Sequence, residues 1–187
     1  MNRCLHVGLA LLSLAYAGGG MAADWRMEPA ASRLEFTATY QGEPAPGQFK
    51  QFDTKLRFDP ARPAKSELVV TVALTSFDMG SAELNEAVRG PEWFDLARFT
   101  RAEFRSTDIK PAGADRYVAR GTLILKGTQR PIEVPFRWKA DGKHATMAGE
   151  IALDRTVFGV GTGEWATGDP IAVAVKVNFS VQLRPAS

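Results

Sequence analysis

The chain has 187 residues, with 23 basic and 21 acidic side chains, 45% apolar residues and 24% charged residues. This composition excludes a disordered chain, and a near balance of interspersed charges excludes a nucleic-acid binder of the electrostatic kind. The length suits one domain or a small pair.

The first 23 residues read as a targeting segment. Arg3 supplies a positive start, and VGLALLSLAYA (7–17) is an uncharged apolar run too short to span a bilayer comfortably. Small residues follow at Ala15-Tyr16-Ala17 and at Gly20-Met21-Ala22-Ala23. The pattern predicts a secretory signal peptide over 1–23, with cleavage between residues 17 and 23. The exported domain is then 24–187, and the periplasm is its expected location. The single cysteine, Cys4, precedes the apolar run and leaves with it. The exported domain therefore relies on its core and has no disulfide.

After the signal, period-2 alternation dominates, as expected of half-buried strands. RLEFTATY (33–40) sets Leu34, Phe36, Ala38 and Tyr40 against polar neighbours. Weaker runs of the same kind cover 47–58 and 66–76. SAELNEAVRG (81–90) then changes period. Leu84, Ala87 and Val88 fall at helical spacing, with Ser81 as an N-cap and Gly90-Pro91 as a stop. Strand patterns resume at 101–109, 117–126, IEVPFRWK (132–139) and 146–154. The last, IAVAVKVNFSVQL (171–183), is apolar at every odd position. Turn signals such as DPARPA (59–64), PAGAD (111–115), KGTQRP (126–131) and ADGKH (140–144) separate the runs. The reading is an all-β, eight-stranded antiparallel meander with one short helical insertion between strands 3 and 4. A 13-residue strand spans roughly 43 Å, which favours a tall, closed, lipocalin-like barrel over a sandwich.

Catalytic and metal motifs are sparse. His144 is the one histidine beyond the signal and falls in the polar turn ADGKH, so a His/Cys zinc site has no ligand set. GVGTG (159–163) lacks the following helix of a dinucleotide fingerprint and reads as a loop at a barrel rim. Carboxylates such as Glu83 and Glu86, or Asp154, Glu164 and Asp169, read as solvated surface. Aromatic residues instead recur on the expected inward faces. The candidate ligand-binding lining is Phe36, Phe52, Phe77, Trp93, Phe94, Phe104, Phe136, Trp138, Val175 and Phe179. An apolar cavity with no catalytic group on its wall suits a hydrocarbon ligand.

Several segments together resemble the YceI-like family of periplasmic, lipocalin-like polyisoprenoid-binding proteins. They are the opening Trp25 and SRLEF, GQFKQFDTKLRFDP (47–60), SFDMG (76–80) and EWFDLARFTRAEFRST (92–107). GTLILKGTQRPIEV (121–134) and VFGVG (157–161) complete the set. Their order and spacing carry the likeness, which covers 24–183. The resemblance implies an elongated barrel holding an isoprenoid chain, such as a quinone or polyprenyl lipid, with no other cofactor required and no catalytic or metal residues. It also implies a hairpin at KGTQRP that keeps Lys126 and Arg130 outside the core. It makes a membrane b-type cytochrome a candidate partner, and leaves the oligomeric state, a dimer included, open. The chain departs from the family where relatives carry an Arg-Asp-x-His cluster; here Leu84-Asn85-Glu86-Ala87 stands. Phe99-Thr100 replaces the usual Tyr-Pro, and Val157 replaces an Asp. Two rival readings remain: an enzyme using inward carboxylates or Tyr on a bound lipid or small molecule, and a ligand-free stress-response barrel.

Overall fold

The computed structural model describes residues 23–186, so the expected signal segment lies outside the described residues apart from Ala23. The order of elements is β1 (Ala23–Met27), β2 (Arg33–Tyr40), β3 (Glu43–Phe49), β4 (Phe52–Phe58), β5 (Glu67–Ala73), β6 (Phe77–Asp78), α1 (Ala82–Ala87), β7 (Arg101–Pro111), β8 (Arg116–Leu125), β9 (Thr128–Ala140), β10 (Ala145–Asp154) and β11 (Ala174–Pro185).

These strands make eight staves of one closed antiparallel barrel. The first three staves are each broken once. β1 and β2 run one after the other along β11, since β1 pairs with Leu183–Pro185 and β2 with Lys176–Ser180. β3 pairs with β2, and β4 with β1, so β3 and β4 form the second stave. β5 and β6 form the third. From β7 to β11 each strand pairs with the next, and the β1–β11 ladder closes the ring. Closure removes the edge strands that an open meander would expose.

The breaks have local causes. The run 47–58 is interrupted at Lys50 and Gln51. The Lys50 amide donates to the Ser76 carbonyl, and the Gln51 amide to the Ser76 hydroxyl. The last strand begins at Ala174 rather than 171, because the carbonyls of Ile171 and Ala172 accept from the Arg155 guanidinium instead of joining the ladder.

The helix matches its sequence signals. Ser81 is the N-cap, and its hydroxyl accepts from the Leu84 amide. Asn85 ties α1 to the third stave. Its amide nitrogen donates to Asp78, and its side-chain oxygen accepts from the Met79 amide. Asp78 also accepts from Lys50 and the Gly80 amide, and these bonds hold its carboxyl well below the usual carboxylate range.

The β8–β9 hairpin turns on Lys126 and Gly127, both with positive φ (49° and 74°). This pair of left-handed residues suits the right-handed twist of the flanking strands. Gly149 on β10 is required for a different reason. A Cβ there would lie 2.3 Å from the Pro135 carbonyl oxygen and 2.6 Å from the Phe179 ring. Gly149→Ala should therefore cost about 1–3 kcal/mol through overpacking against backbone, seen as a lower midpoint in urea unfolding. An unchanged midpoint would show that β9 and β10 do not approach this closely.

Candidate ligand site

Side chains on the inward parity of the staves divide the interior into a filled end and an open end. At the end of the β7–β8 and β9–β10 turns the core is dense. Phe58, Tyr117, Phe136 and Trp138 pack edge-on or stacked, with ring centroids 4.8–5.9 Å apart, and Trp25 meets Trp138 at 5.1 Å. Leu56, Leu68, Ile109, Met147, Val181 and Leu183 complete this floor.

Burial falls along several staves toward the other end. On β11, Leu183 is 0% exposed and Val181 2%, while the inward Phe179, Val177 and Val175 are only half-buried. On β10, Met147 is buried and Ile151 and Leu153 half-buried. On β9, Phe136 and Val134 are buried and Ile132 half-buried; on β5, Leu68 is buried and Val70 and Val72 half-buried. A side chain on the inward parity that keeps accessible surface is packed less fully than those of the floor. Five neighbouring or facing staves show the same gradient, β4 among them with Phe52 half-buried above Leu56.

A roof covers the open end. Phe36, Phe49, Phe77 and Phe94 form a cluster with centroids 5.0–6.1 Å apart, and Gly47 leaves room for the Phe36 ring. Leu74, Leu96, Ala102, Phe158 and Val160 are buried with it. Two loop segments make this roof, and polar contacts bind them together. The Glu92 carbonyl accepts from the amides of Gly161 (2.8 Å) and Thr162 (2.9 Å), and the Glu92 carboxylate accepts from the Trp165 indole. Lys126 donates to the carbonyls of Pro91 and Gly159, each at 2.6 Å. Burial pushes the Lys126 ammonium toward a lower pKa.

Arg155 is the centre of the roof loop. It is 5% exposed and, among the described residues, forms no salt bridge with a carboxylate. Nε donates to Ala172, Nη1 to Val160 and Gly161, and Nη2 to Trp165 and Ile171, all through backbone carbonyls. A guanidinium carries five N–H donors, so each carbonyl has one. Its planar face also lies over Trp93, 5.7 Å from the ring centre.

The residues singled out from sequence are therefore distributed. Phe36, Phe77 and Phe94 share the roof cluster. Val175 and Phe179 line the half-buried wall of β11, and Phe52 packs between wall and floor. Phe104, Phe136 and Trp138 belong to the floor, and Trp93 stacks beside Trp165 in the roof. Phe49, Trp25, Phe58 and Tyr117 were not singled out and lie in the same layers. Arg130 is exposed at the hairpin, as expected, whereas Lys126 is half-buried and holds the roof.

Among the described residues, the Thr54 hydroxyl and the Trp25 indole nitrogen are buried without a hydrogen-bond partner. The carboxyls of Asp59, Asp78, Asp141 and Asp154 are all held below their ordinary pKa, Asp78 chiefly by Lys50 and the other three by hydrogen bonds from residues two or three further along the chain, the direction opposite to that of a general acid. Among the described residues no group of three His, Cys, Asp or Glu side chains could hold a metal ion.

The fold and interior define a closed eight-stranded β-barrel with an apolar inside, filled at one end and roofed at the other. Residues 25–183 match the YceI-like domain, and the chain belongs to that family. A UPF0312 protein of Azotobacter vinelandii is 31% identical over 142 residues, covering 74% of this chain and 72% of its own. BcnA of Burkholderia cenocepacia superposes with a TM-score of 0.81 at 33% identity, over 83% of this chain and 98% of its own. A polyisoprenoid-binding domain from Saccharophagus degradans has the same fold, with a TM-score of 0.69 at 14% identity, over 89% of this chain and all of its own.

Two substitutions test this arrangement. Arg155→Lys leaves at most three donors for five buried carbonyls and should cost about 2–4 kcal/mol, read from thermal unfolding. A loss below the error of the melt would mean that the roof does not depend on the guanidinium. Thr54→Val removes a buried, unpartnered hydroxyl with little change of shape. It should raise the melting temperature by about 2–4 °C; a fall would show that the hydroxyl is bonded.

Proposed function

We propose that this protein binds an isoprenoid lipid in the half-filled part of its barrel, holding the chain against the wall of β10 and β11 beneath the phenylalanine roof. The observation that carries this reading is the gradient of burial on inward side chains from floor to roof. The space it outlines is walled by Val, Ile, Leu and Phe. Such a lining gains about 25 cal/mol per Å² of apolar surface removed from water and offers no placed acid or base for a reaction. The fold shared with the Saccharophagus polyisoprenoid-binding domain and membership of the YceI-like family support the same ligand class. A quinone and a polyprenyl lipid are both within it.

The export signal expected from the sequence supports a periplasmic setting, where a carrier would move or store a lipid that water excludes. The apolar side chains of that wall favour carriage over chemistry.

The test is lipid extraction and mass spectrometry on protein purified from membrane-bearing cells without detergent. The expected result is one prenyl lipid per barrel, and its loss in Phe179→Asp, which puts a charge on the half-buried wall away from the floor. A folded protein that yields no lipid and takes up neither quinone nor polyprenol would overturn the reading.

A further inference from the structure

Where a ligand enters is not set by the barrel's ends. The floor is closed by stacked aromatic rings, and the roof by buried phenylalanines and the bonds of Glu92, Lys126 and Arg155 described above. The wall itself, however, is interrupted between β9 and β10. The two strands keep register only from Ala145↔Ala140 to Ala148↔Arg137. Beyond that, β10 continues through Asp154 paired with β11 alone, and β9 runs back to Thr128 paired with β8 alone.

The sequence of β9 explains the interruption. The Trp138 amide donates to Asp115, on the β8 side. Backbone groups alternate sides along a strand, so Ile132, Val134 and Phe136 also turn theirs to β8. Pro131, Glu133, Pro135 and Arg137 turn theirs to β10. The Pro135 carbonyl does point at β10, close to Gly149. Two of the three positions above Arg137 that could donate to β10 are therefore prolines, which have no N–H. Glu133, the third, keeps its N–H but pairs with no residue of β10. Inside the seam lie the half-buried Ile132, Ile151 and Leu153. At its roof end the turn Thr156–Phe158 follows directly from β10, and its Phe158 is buried in the cluster against which Ile132 packs.

We infer that the β9–β10 seam is the portal through which the lipid chain enters and leaves, with the Thr156–Phe158 turn as its stopper. This rests on the lipid-binding reading above. The seam opens sideways by parting two strand segments that share no ladder, pivoting at the Gly149–Pro135 contact, while floor and roof stay closed.

The experiment uses full-length protein with Cys4→Ser, which removes the one native thiol. Glu133→Cys and Ala152→Cys place two exposed thiols opposite each other across the seam, by continuation of the Ala148↔Arg137 register. A reversible bis-methanethiosulfonate reagent then joins them in the folded protein. The control pair, Arg105→Cys with Thr122→Cys, spans the intact β7–β8 ladder. Uptake of a dansyl-labelled geranylgeranyl probe from phosphatidylcholine vesicles is followed by fluorescence. Cross-linking the seam should slow uptake at least tenfold, with full recovery on reduction, while the control is unaffected. Pro131→Thr with Pro135→Thr, which restores both donors, should slow uptake in the same direction without any cross-link. Uptake at the unmodified rate in the cross-linked seam overturns the portal and leaves lipid binding standing. No uptake by the uncross-linked protein overturns lipid binding, and the portal with it.

Discussion

Closure of the wall depends on β11 serving two partners. Its first half pairs with β2 and its last residues with β1, so a single 12-residue strand spans the full height of the barrel and seals the ring. The first three staves could not do this alone, because each is broken in two. Once the ring closes, the circumference is fixed by eight strands, and the interior is just wide enough to be filled by side chains or to admit one slender ligand. What decides between these outcomes is the size of the inward residues at each level. Phe58, Tyr117, Phe136 and Trp138 fill one end. Valines, isoleucines and leucines, with Phe52 and Phe179, leave the wall above it less full.

The restraints at the two levels differ in kind. The floor is held by dispersion and burial among rings, which is non-directional and tolerant of small shifts. The roof is held by directional bonds to backbone carbonyls, which fix the loops 90–99 and 156–165 against each other. This division lets the wall between them carry an incomplete ladder without loss of the fold, since neither closed end relies on the upper part of the β9–β10 pairing.

Much of this was legible in the sequence. The strict alternation of 171–183 and 132–139 gave the two long staves, and Ser81 with Gly90-Pro91 bounded the helix. The broken staves were not legible. Lys50 and Gln51 leave the ladder because of Ser76, a residue from the next stave, and no local pattern announces that bond. The break also shifts the phase of alternation, so that Phe49 and Phe52, three residues apart, both face inward. Period-2 reasoning from Phe52 therefore missed Phe49, although it belongs to the roof cluster with Phe36, Phe77 and Phe94. The floor aromatics Phe104, Phe136 and Trp138 were correctly read as large inward residues, but alternation cannot tell a packed level from an open one. Arg155 was missed for another reason. Its role depends on five carbonyls contributed by residues 160 to 172, and a lone arginine beside a glycine-rich stretch carries no motif. The positive φ of Gly159, Gly161 and Gly163 is the trace it leaves, since the loop must curl tightly to present those carbonyls.

The choice of carbonyls over carboxylates as partners for Arg155 and Lys126 has a consequence for pH. Carbonyl acceptors do not titrate, and a guanidinium stays charged far above neutrality even when burial lowers its pKa. The bonds that these two side chains make are thus insensitive to acid, whereas an ion pair would weaken as its carboxylate took up a proton. The one carboxylate that anchors the neighbouring helix, Asp78, has a folded pKa depressed chiefly by the hydrogen bond from Lys50 and then by Asn85. By linkage, its contribution is complete above the ordinary carboxylate range near 3.9. It is lost only as pH falls through the lower folded value. Roof and helix tie therefore hold together across the whole range in which most surface carboxylates titrate. Most of the bonds that join the two roof segments are therefore ones that acid does not release.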